Sequence, residues 1–247
     1  MKLIHALIPA MLLATPLAAQ GLEGRTLSAE LGLGASYKPT YPGSDQMETA
    51  PWFIWRNVSL SRGDGSAGDA QGFSVSPSFN YIGKRNEKDD KDLAGLPEVD
   101  RAYEIGARFS YTTGPVTGYA VVRKGFKGHK GVVGKLGATY RTDINDRLSL
   151  WSGVGVNMGS DDYVDTYFGV TPEAAASSGY RAYNPGGGVT SVSASLAARY
   201  AISDVTALVG ELEYGRLVGD AADSPLTQDK NQPVVRLGIT RRFSFGF

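Results

Sequence analysis

The chain is 247 residues long, carries 25 Lys and Arg against 25 Asp and Glu, and contains no cysteine. The balanced charge excludes the basic field that nucleic-acid binding requires, and the missing cysteine excludes both a disulfide framework and a lipidated N-terminal cysteine. With 32 Gly and 13 Tyr and no collagen-type repeat, the composition favours strands and turns over helices.

The chain opens on MKLIHALIPAMLLATPLAAQG, in which Lys2 precedes an apolar stretch from Leu3 to Leu17 and then the small residues Ala18, Ala19 and Gly21. That layout predicts a secretory signal peptide over residues 1–20, cleaved between Ala18 and Gly21 and too short to serve as a membrane-spanning helix. One domain, residues 21–247, is expected to follow. From Thr26 to Tyr37 the period is two, with Leu27, Ala29, Leu31, Leu33, Ala35 and Tyr37 on one face and Ser28, Glu30, Gly32, Gly34 and Ser36 on the other. Residues 49–60 and 71–82 follow, the first alternating poorly. Residues 102–112 put Tyr103, Ile105, Ala107, Phe109 and Tyr111 opposite Glu104, Gly106, Arg108 and Ser110. Residues 115–125 alternate poorly again, whereas 131–142, 147–158, 189–201, 206–216 and 233–246 restore the pattern.

Strands of soluble domains run about 5–6 residues, whereas these repeats persist for roughly 10–12, the span a tilted strand needs to cross a bilayer. Tyr37, Tyr103, Tyr111, Tyr140, Tyr200 and Tyr214 fall near the ends of the apolar faces, as an interfacial girdle would. The pattern predicts an all-β transmembrane antiparallel β-barrel of ten strands, with twelve as the alternative count; both are even, as single-chain bacterial barrels require. Connector lengths agree. The turns at 113–114, 143–146 and 202–205 are short, while 83–101, 159–188 and 217–232 are long; only FKGHKG and the longer 61–70 connector break the trend. The last strand ends RRFSFGF, with Phe243, Phe245 and Phe247 on one face and Arg241 on the wrong one, placed to snorkel or to sit at the rim.

Candidate chemistry is sparse. After signal removal the one histidine is His129, in KGFKGHKG, with no nucleophile elbow to mark a partner. The acids of KRNEKDDKDLAGLPEVD (84–100), and Asp161, Asp162 and Asp165 at the start of the longest loop, match no EF-hand and read as solvated loop acids, not as divalent-cation ligands. Asp220 and Asp223 in GDAADSP read as loop caps bonding backbone N–H groups, with Pro225 fixing the next bend. Glu30, Glu104, Arg108, Lys135, Arg141, Arg199, Glu211, Glu213, Arg236 and Arg242 all fall on inward faces. Ten strands lies near the size that side chains fill, so these charges are expected to pair inside the lumen, with a narrow pore as the alternative. The 159–188 loop is left two positions, inside the lumen or out in solvent.

The stretches GLGASYKPTYPGSD (32–45), GHKG (128–131), DDYVDTYFGVTPEAAASSGYRAYNPGGG (161–188) and GRLVGDAADSPLTQDKNQ (215–232) resemble the MipA/OmpV family of MltA-interacting outer-membrane proteins. The matching positions include Gly43, Ser44, Asp45, His129, Tyr167, Phe168, Gly169, Val170, Gly219, Asp220, Asp223 and Pro225. The resemblance implies a protein of the Gram-negative outer membrane, in contact with lipid and lipopolysaccharide. It also implies that Phe243, Phe245 and Phe247 are the signal read by the barrel-assembly machinery. The implied role is a non-enzymatic scaffold joining a lytic transglycosylase to a penicillin-binding protein, without cofactor, metal or nucleic acid. A small porin-like diffusion channel is the alternative, and a lipid A-modifying enzyme using His129 a third reading.

Overall fold

The computed structural model describes residues 25–62, 71–88 and 90–246; the expected signal peptide, Asp89 and Phe247 lie outside them. The chain forms ten antiparallel strands: β1 (Arg25–Pro39), β2 (Met47–Arg62), β3 (Gly72–Ile82), β4 (Ala102–Thr113), β5 (Val116–Lys127), β6 (Val132–Asp143), β7 (Leu148–Gly159), β8 (Gly188–Ala201), β9 (Thr206–Leu217) and β10 (Asn231–Gly246). They make one curled sheet in the order β2-β1-β10-β9-β8-β7-β6-β5-β4-β3. The strand that ends in alternating Phe therefore joins the first strand: Phe243 opposes Ala29 and Phe245 opposes Leu27.

The two poorly alternating segments have physical causes. Between β1 and β2 the register slips, Ser28 opposing Ser59 but Glu30 opposing Arg56. The extra residue in β2 shifts its faces by one, which breaks a period of two. In β5 the neighbours Val121 and Val122 lie on opposite faces, one buried and the other exposed. An inward-facing valine makes the run look apolar throughout.

Exposure is inverted relative to a water-soluble fold. Leu33, Phe53 and Leu237 are 60%, 71% and 67% exposed, whereas Glu30, Glu104 and Thr240 are 1%, 2% and 1% exposed. An apolar exterior around a polar interior is the arrangement that lipid stabilises and water does not. No described helix is long and apolar enough to cross a membrane. Arg241 opposes Thr206, the first residue of β9, at the rim where the turns lie.

Among the described residues no backbone pairing joins β2 to β3, so these are the two free edges of the sheet. Pro51 and Pro77, the prolines deepest within strands, sit on these two edges. A proline offers no N–H to a ladder and is tolerated where no neighbour asks for one. Contact across the seam comes from side chains, the Trp55 and Phe79 rings meeting edge to face at 6.3 Å.

Because the strands run up and down in sequence, the three longest connectors, between β3 and β4, β7 and β8, and β9 and β10, gather at one end. There they fold into three short helices, α1 (Asp161–Phe168), α2 (Pro172–Ser178) and α3 (Gly219–Asp223), plus a 3₁₀ turn at Lys91–Leu93. Their buried residues, Val99, Val164, Tyr167, Phe168, Leu217, Ala221 and Ala222 in one cluster and Val170, Ala174 and Leu226 in another, make an apolar core. The protein thus has a water-type core in its cap and a polar interior in its barrel.

Candidate functional site

The cap is assembled by a few buried polar residues. Asp90, which precedes the 3₁₀ turn, is 3% exposed. Its Oδ2 accepts from Thr40 Oγ1 at 2.6 Å and Ser44 Oγ at 2.7 Å, and its Oδ1 from Gln46 Nε2 at 2.5 Å and the Asp92 N–H at 3.0 Å. The expectation that the acids of 84–100 are all solvated is therefore wrong for Asp90. The β1–β2 loop supplies three donors spaced to converge on one carboxylate, which offsets the cost of burying the charge. Gly43 and Ser44 belong to this loop, and Asp45 is exposed beside them. Gly43 holds φ +99°, and a Cβ there would meet Thr227 Oγ1 at 2.8 Å, so the position is closed to other residues. Its N–H donates to Gln232 Oε1, and its carbonyl accepts from the Gln228 and Asp229 N–H groups, tying the β1–β2 loop to the β9–β10 connector.

His129 stands on the short β5–β6 connector and is 2% exposed. Its Nε2 lies 3.3 Å from Glu104 Oε1, while Glu104 Oε2 accepts from Arg123 Nε at 2.8 Å and Asn80 Nδ2 at 3.0 Å. Facing an acceptor-only carboxylate, Nε2 is assigned as the donor. The Tyr163 and Tyr167 rings of α1 meet the imidazole edge-on, with centroids 5.1 and 5.6 Å away. One inward glutamate at the top of β4 thus connects β3, β5 and His129, and the aromatic face of α1 rests on that imidazole. Burial, followed by the nearby Glu104 charge, pushes the Tyr167 hydroxyl up to about 12, so it stays neutral at physiological pH.

The remaining motif positions close the mouth. Arg85 donates to the carbonyls of Tyr167 at 2.9 Å and Thr166 at 3.3 Å, satisfying the C-terminal end of α1; burial holds its guanidinium below the usual range. The chain leaves α1 through Gly169 into Val170, which bridges to Tyr183. Phe168 is fixed through its carbonyl by Ser224 Oγ at 2.6 Å. Gly219 and Asp220 open α3, and the Asp220 carboxylate accepts from the Gly186 N–H at 2.7 Å. Asp220 therefore caps a distant segment and not the nearby N–H groups expected of it. Asp223 differs: its carboxylate meets Lys230 Nζ at 3.4 Å. Pro225 follows at the bend into buried Leu226. The 159–188 loop therefore packs over the mouth as part of the cap, which is neither of the two positions expected for it, inside the lumen or out in solvent.

Below the cap the inward charges pair across the interior. Arg199 of β8 reaches Glu30 of β1 at 3.3 Å, and Thr240 donates to the same carboxylate. Lys135 of β6 meets Glu213 of β9 at 3.4 Å, and Arg236 bonds Glu211 at 2.7 Å and Glu213 at 3.2 Å. The expected pairing is present for these charges, whereas Arg108 stands over the Tyr119 ring. Arg141 lies near the rim, paired with Asp143 at 2.9 Å and placed over the Trp151 ring.

Taken as chemistry, His129 is spent on a carboxylate and two rings, and among the described residues no hydroxyl is hydrogen-bonded to its Nδ1. Asp161, Asp162 and Asp165 are exposed, with Asp161 Oδ1 accepting from the Gly187 N–H. Among the described residues no group of three or more His, Asp or Glu is placed to hold a metal. Sequence reasoning missed Arg85, Asp90 and Ser224, whose long-range partners lie 44 to 82 positions away and leave no local pattern.

A family model described as MltA-interacting protein MipA matches residues 31–243. The MltA-interacting proteins of Escherichia coli K12 and Shigella flexneri are each 31% identical over 113 residues, 46% of this chain. The matched stretch spans 45% of the length of those curated relatives. Among solved structures, the attachment invasion locus protein Ail of Yersinia pestis is similar at 12% identity and a TM-score of 0.29, over 90% of this chain and 100% of that one. OprG of Pseudomonas aeruginosa is similar at 10% identity and a TM-score of 0.27, over 92% of this chain and 98% of that one. Scores this low assign neither a site nor an activity.

Proposed function

Because this chain belongs to the MltA-interacting protein MipA family, we propose that it is a non-enzymatic scaffold in the Gram-negative outer membrane, holding a murein-cleaving and a murein-synthesising enzyme together. The family match over residues 31–243 carries this reading. The relatives' name supplies the first partner, MltA, a lytic transglycosylase; a penicillin-binding protein is the second. In this reading residues 1–20 direct export and are removed, Phe243, Phe245 and Phe247 present the chain for barrel assembly, and lipid and lipopolysaccharide surround the apolar exterior. Long connectors of such barrels face outward and short turns the periplasm. The cap then faces the cell exterior, and the periplasmic enzymes meet the turns at Gly114, Asn145 and Asp204.

The interior supports a scaffold over a channel. Cross-lumen ion pairs and a hydrogen-bonded cap leave the outer surfaces as the working ones. The test is affinity purification of the full chain from gently solubilised membranes, followed by identification of what comes with it. Recovery of a lytic transglycosylase together with a penicillin-binding protein is expected; recovery of neither from cells that contain both overturns the reading.

A further inference from the structure

The interior face of β3 consists of Ser74, Ser76, Ser78 and Asn80, and three of these four are committed. Ser74 Oγ bonds Ser110 Oγ at 3.0 Å, Ser78 Oγ accepts from Arg123 at 3.3 Å, and Asn80 donates to Glu104. Among the described residues the Ser76 hydroxyl has no side-chain partner. Its register partner on β4 is Arg108, which also faces inward. The lumen carboxylates are already engaged: Glu30 with Arg199, Glu104 with Arg123, Glu211 with Arg236, and Glu213 with Arg236 and Lys135. Arg108 has the face of the Tyr119 ring at 3.8 Å and, among the described residues, no carboxylate. A half-buried guanidinium without an anion is costly in a low-dielectric interior, and its planar donor fork suits a phosphate.

This rung lies beside the β2–β3 seam, where, among the described residues, the sheet is open. β3 is a free edge, Pro77 and Pro51 remove donors from the two seam strands, and the seam is spanned by aromatic rings. Ser74 and Asn80 are exposed although they face inward, so the interior beside β3 is accessible. On the opposite face of the same strand Phe73, Val75 and Phe79 are 69%, 56% and 58% exposed. One edge strand therefore presents hydroxyls backed by a cation on its inner side and bare apolar surface on its outer side.

We propose that the Ser76–Arg108 rung binds the phosphate headgroup of an anionic membrane phospholipid reached through the β2–β3 seam, its acyl chains lying outside against Val75 and Phe79. The amphiphile matches both faces of the strand: the headgroup supplies the anion that Arg108 lacks, and the tails cover an edge that two prolines keep from pairing. The proposal does not depend on the scaffold role, because it uses neither the cap nor the turns.

The full chain, folded in detergent, is titrated with phosphatidylglycerol, with zwitterionic phosphatidylcholine and with inorganic phosphate, and adducts are counted by native mass spectrometry. One retained phosphatidylglycerol is expected. Its retention should fall about tenfold in Arg108→Gln, as loss of a charge-assisted bidentate contact predicts, fall less in Ser76→Val, and persist in Arg181→Gln, whose guanidinium donates to the Asp223 carbonyl in the cap. Each variant is first checked for a heat-modifiable band on gels. If Arg108→Gln does not fold, Ser76→Val and Arg108→Lys decide. Equal retention in wild type and in the folded Arg108 or Ser76 variants overturns the proposal, as does equal retention of phosphatidylcholine. Binding of free phosphate without phosphatidylglycerol would mean an anion subsite with no lipid, which overturns it too.

Discussion

Glu104 carries charge for three neighbours at once, and neutralising it leaves two of them worse off than if they had never been polar. In Glu104→Gln, the charge is lost and the one amide oxygen left must serve either Arg123 or His129, so one of the two donors faces an NH2 group in place of an acceptor. Breaking a buried pair by removing one partner costs about 3–5 kcal/mol. Arg123 keeps a fifth of its side chain exposed, so the lower end, about 3 kcal/mol, is expected. Urea unfolding in detergent, followed by the heat-modifiable gel shift, measures it; a loss under about 1 kcal/mol, the scale of an exposed pair, would mean that water has access to the cluster. Gly125→Ala tests the same latch sterically, because its Cβ would fall 2.1 Å from His129 Cε1. The imidazole must then move off the Tyr163 and Tyr167 rings, giving a smaller loss of stability with Glu104 still paired. Comparing the two variants separates charge from fit.

At the scale of elements, the strands and the connectors were legible to different degrees for one reason. A strand with lipid on one side and charged lumen on the other must alternate, so Leu31, Leu33 and Ala35 announced β1 without reference to anything distant. Where a bulge slips the register, as between Ser28 and Glu30, the announcement fails locally in β2, and in β5 the inward-facing Val121 blurs it in another way. The connectors obey no period. Asp90 looked like one more acid in a charged run, and only the approach of Thr40, Ser44 and Gln46 from a loop some 44–50 positions earlier makes it a buried hub. His129 was legible as a residue to watch, but not as a support for α1. The hub makes a prediction of its own. Asp90→Ala strands three donors and should free the β1–β2 loop, so limited proteolysis is expected to cut within residues 40–46 at least tenfold faster than in wild type, while the strands stay protected. Unchanged cleavage would mean that Gly43, through Gln232, Gln228 and Asp229, holds the loop unaided.

The whole molecule places two closures in series, a cap across the mouth and ion pairs across the interior, and this ordering can be tested by removing them one at a time. In planar bilayers the wild type is expected to show no stable conductance steps. Replacing residues 161–187 by a short Gly-Ser linker removes α1 and α2 from the mouth but leaves Arg199 bonded to Glu30 and Lys135 to Glu213; it too should be silent. Lys135→Ala with Arg199→Ala shortens both crossing side chains while Glu213 keeps Arg236 and Glu30 keeps Thr240, so the barrel retains partners for both carboxylates. With the cap intact this pair should also be silent. Only the combination of loop replacement and double substitution is expected to conduct, because an ion must pass both barriers. Steps from the loop replacement alone would show that the ion pairs do not close the interior. Steps from the wild type would make the channel reading the better one and remove the argument that function lies on the outer surfaces.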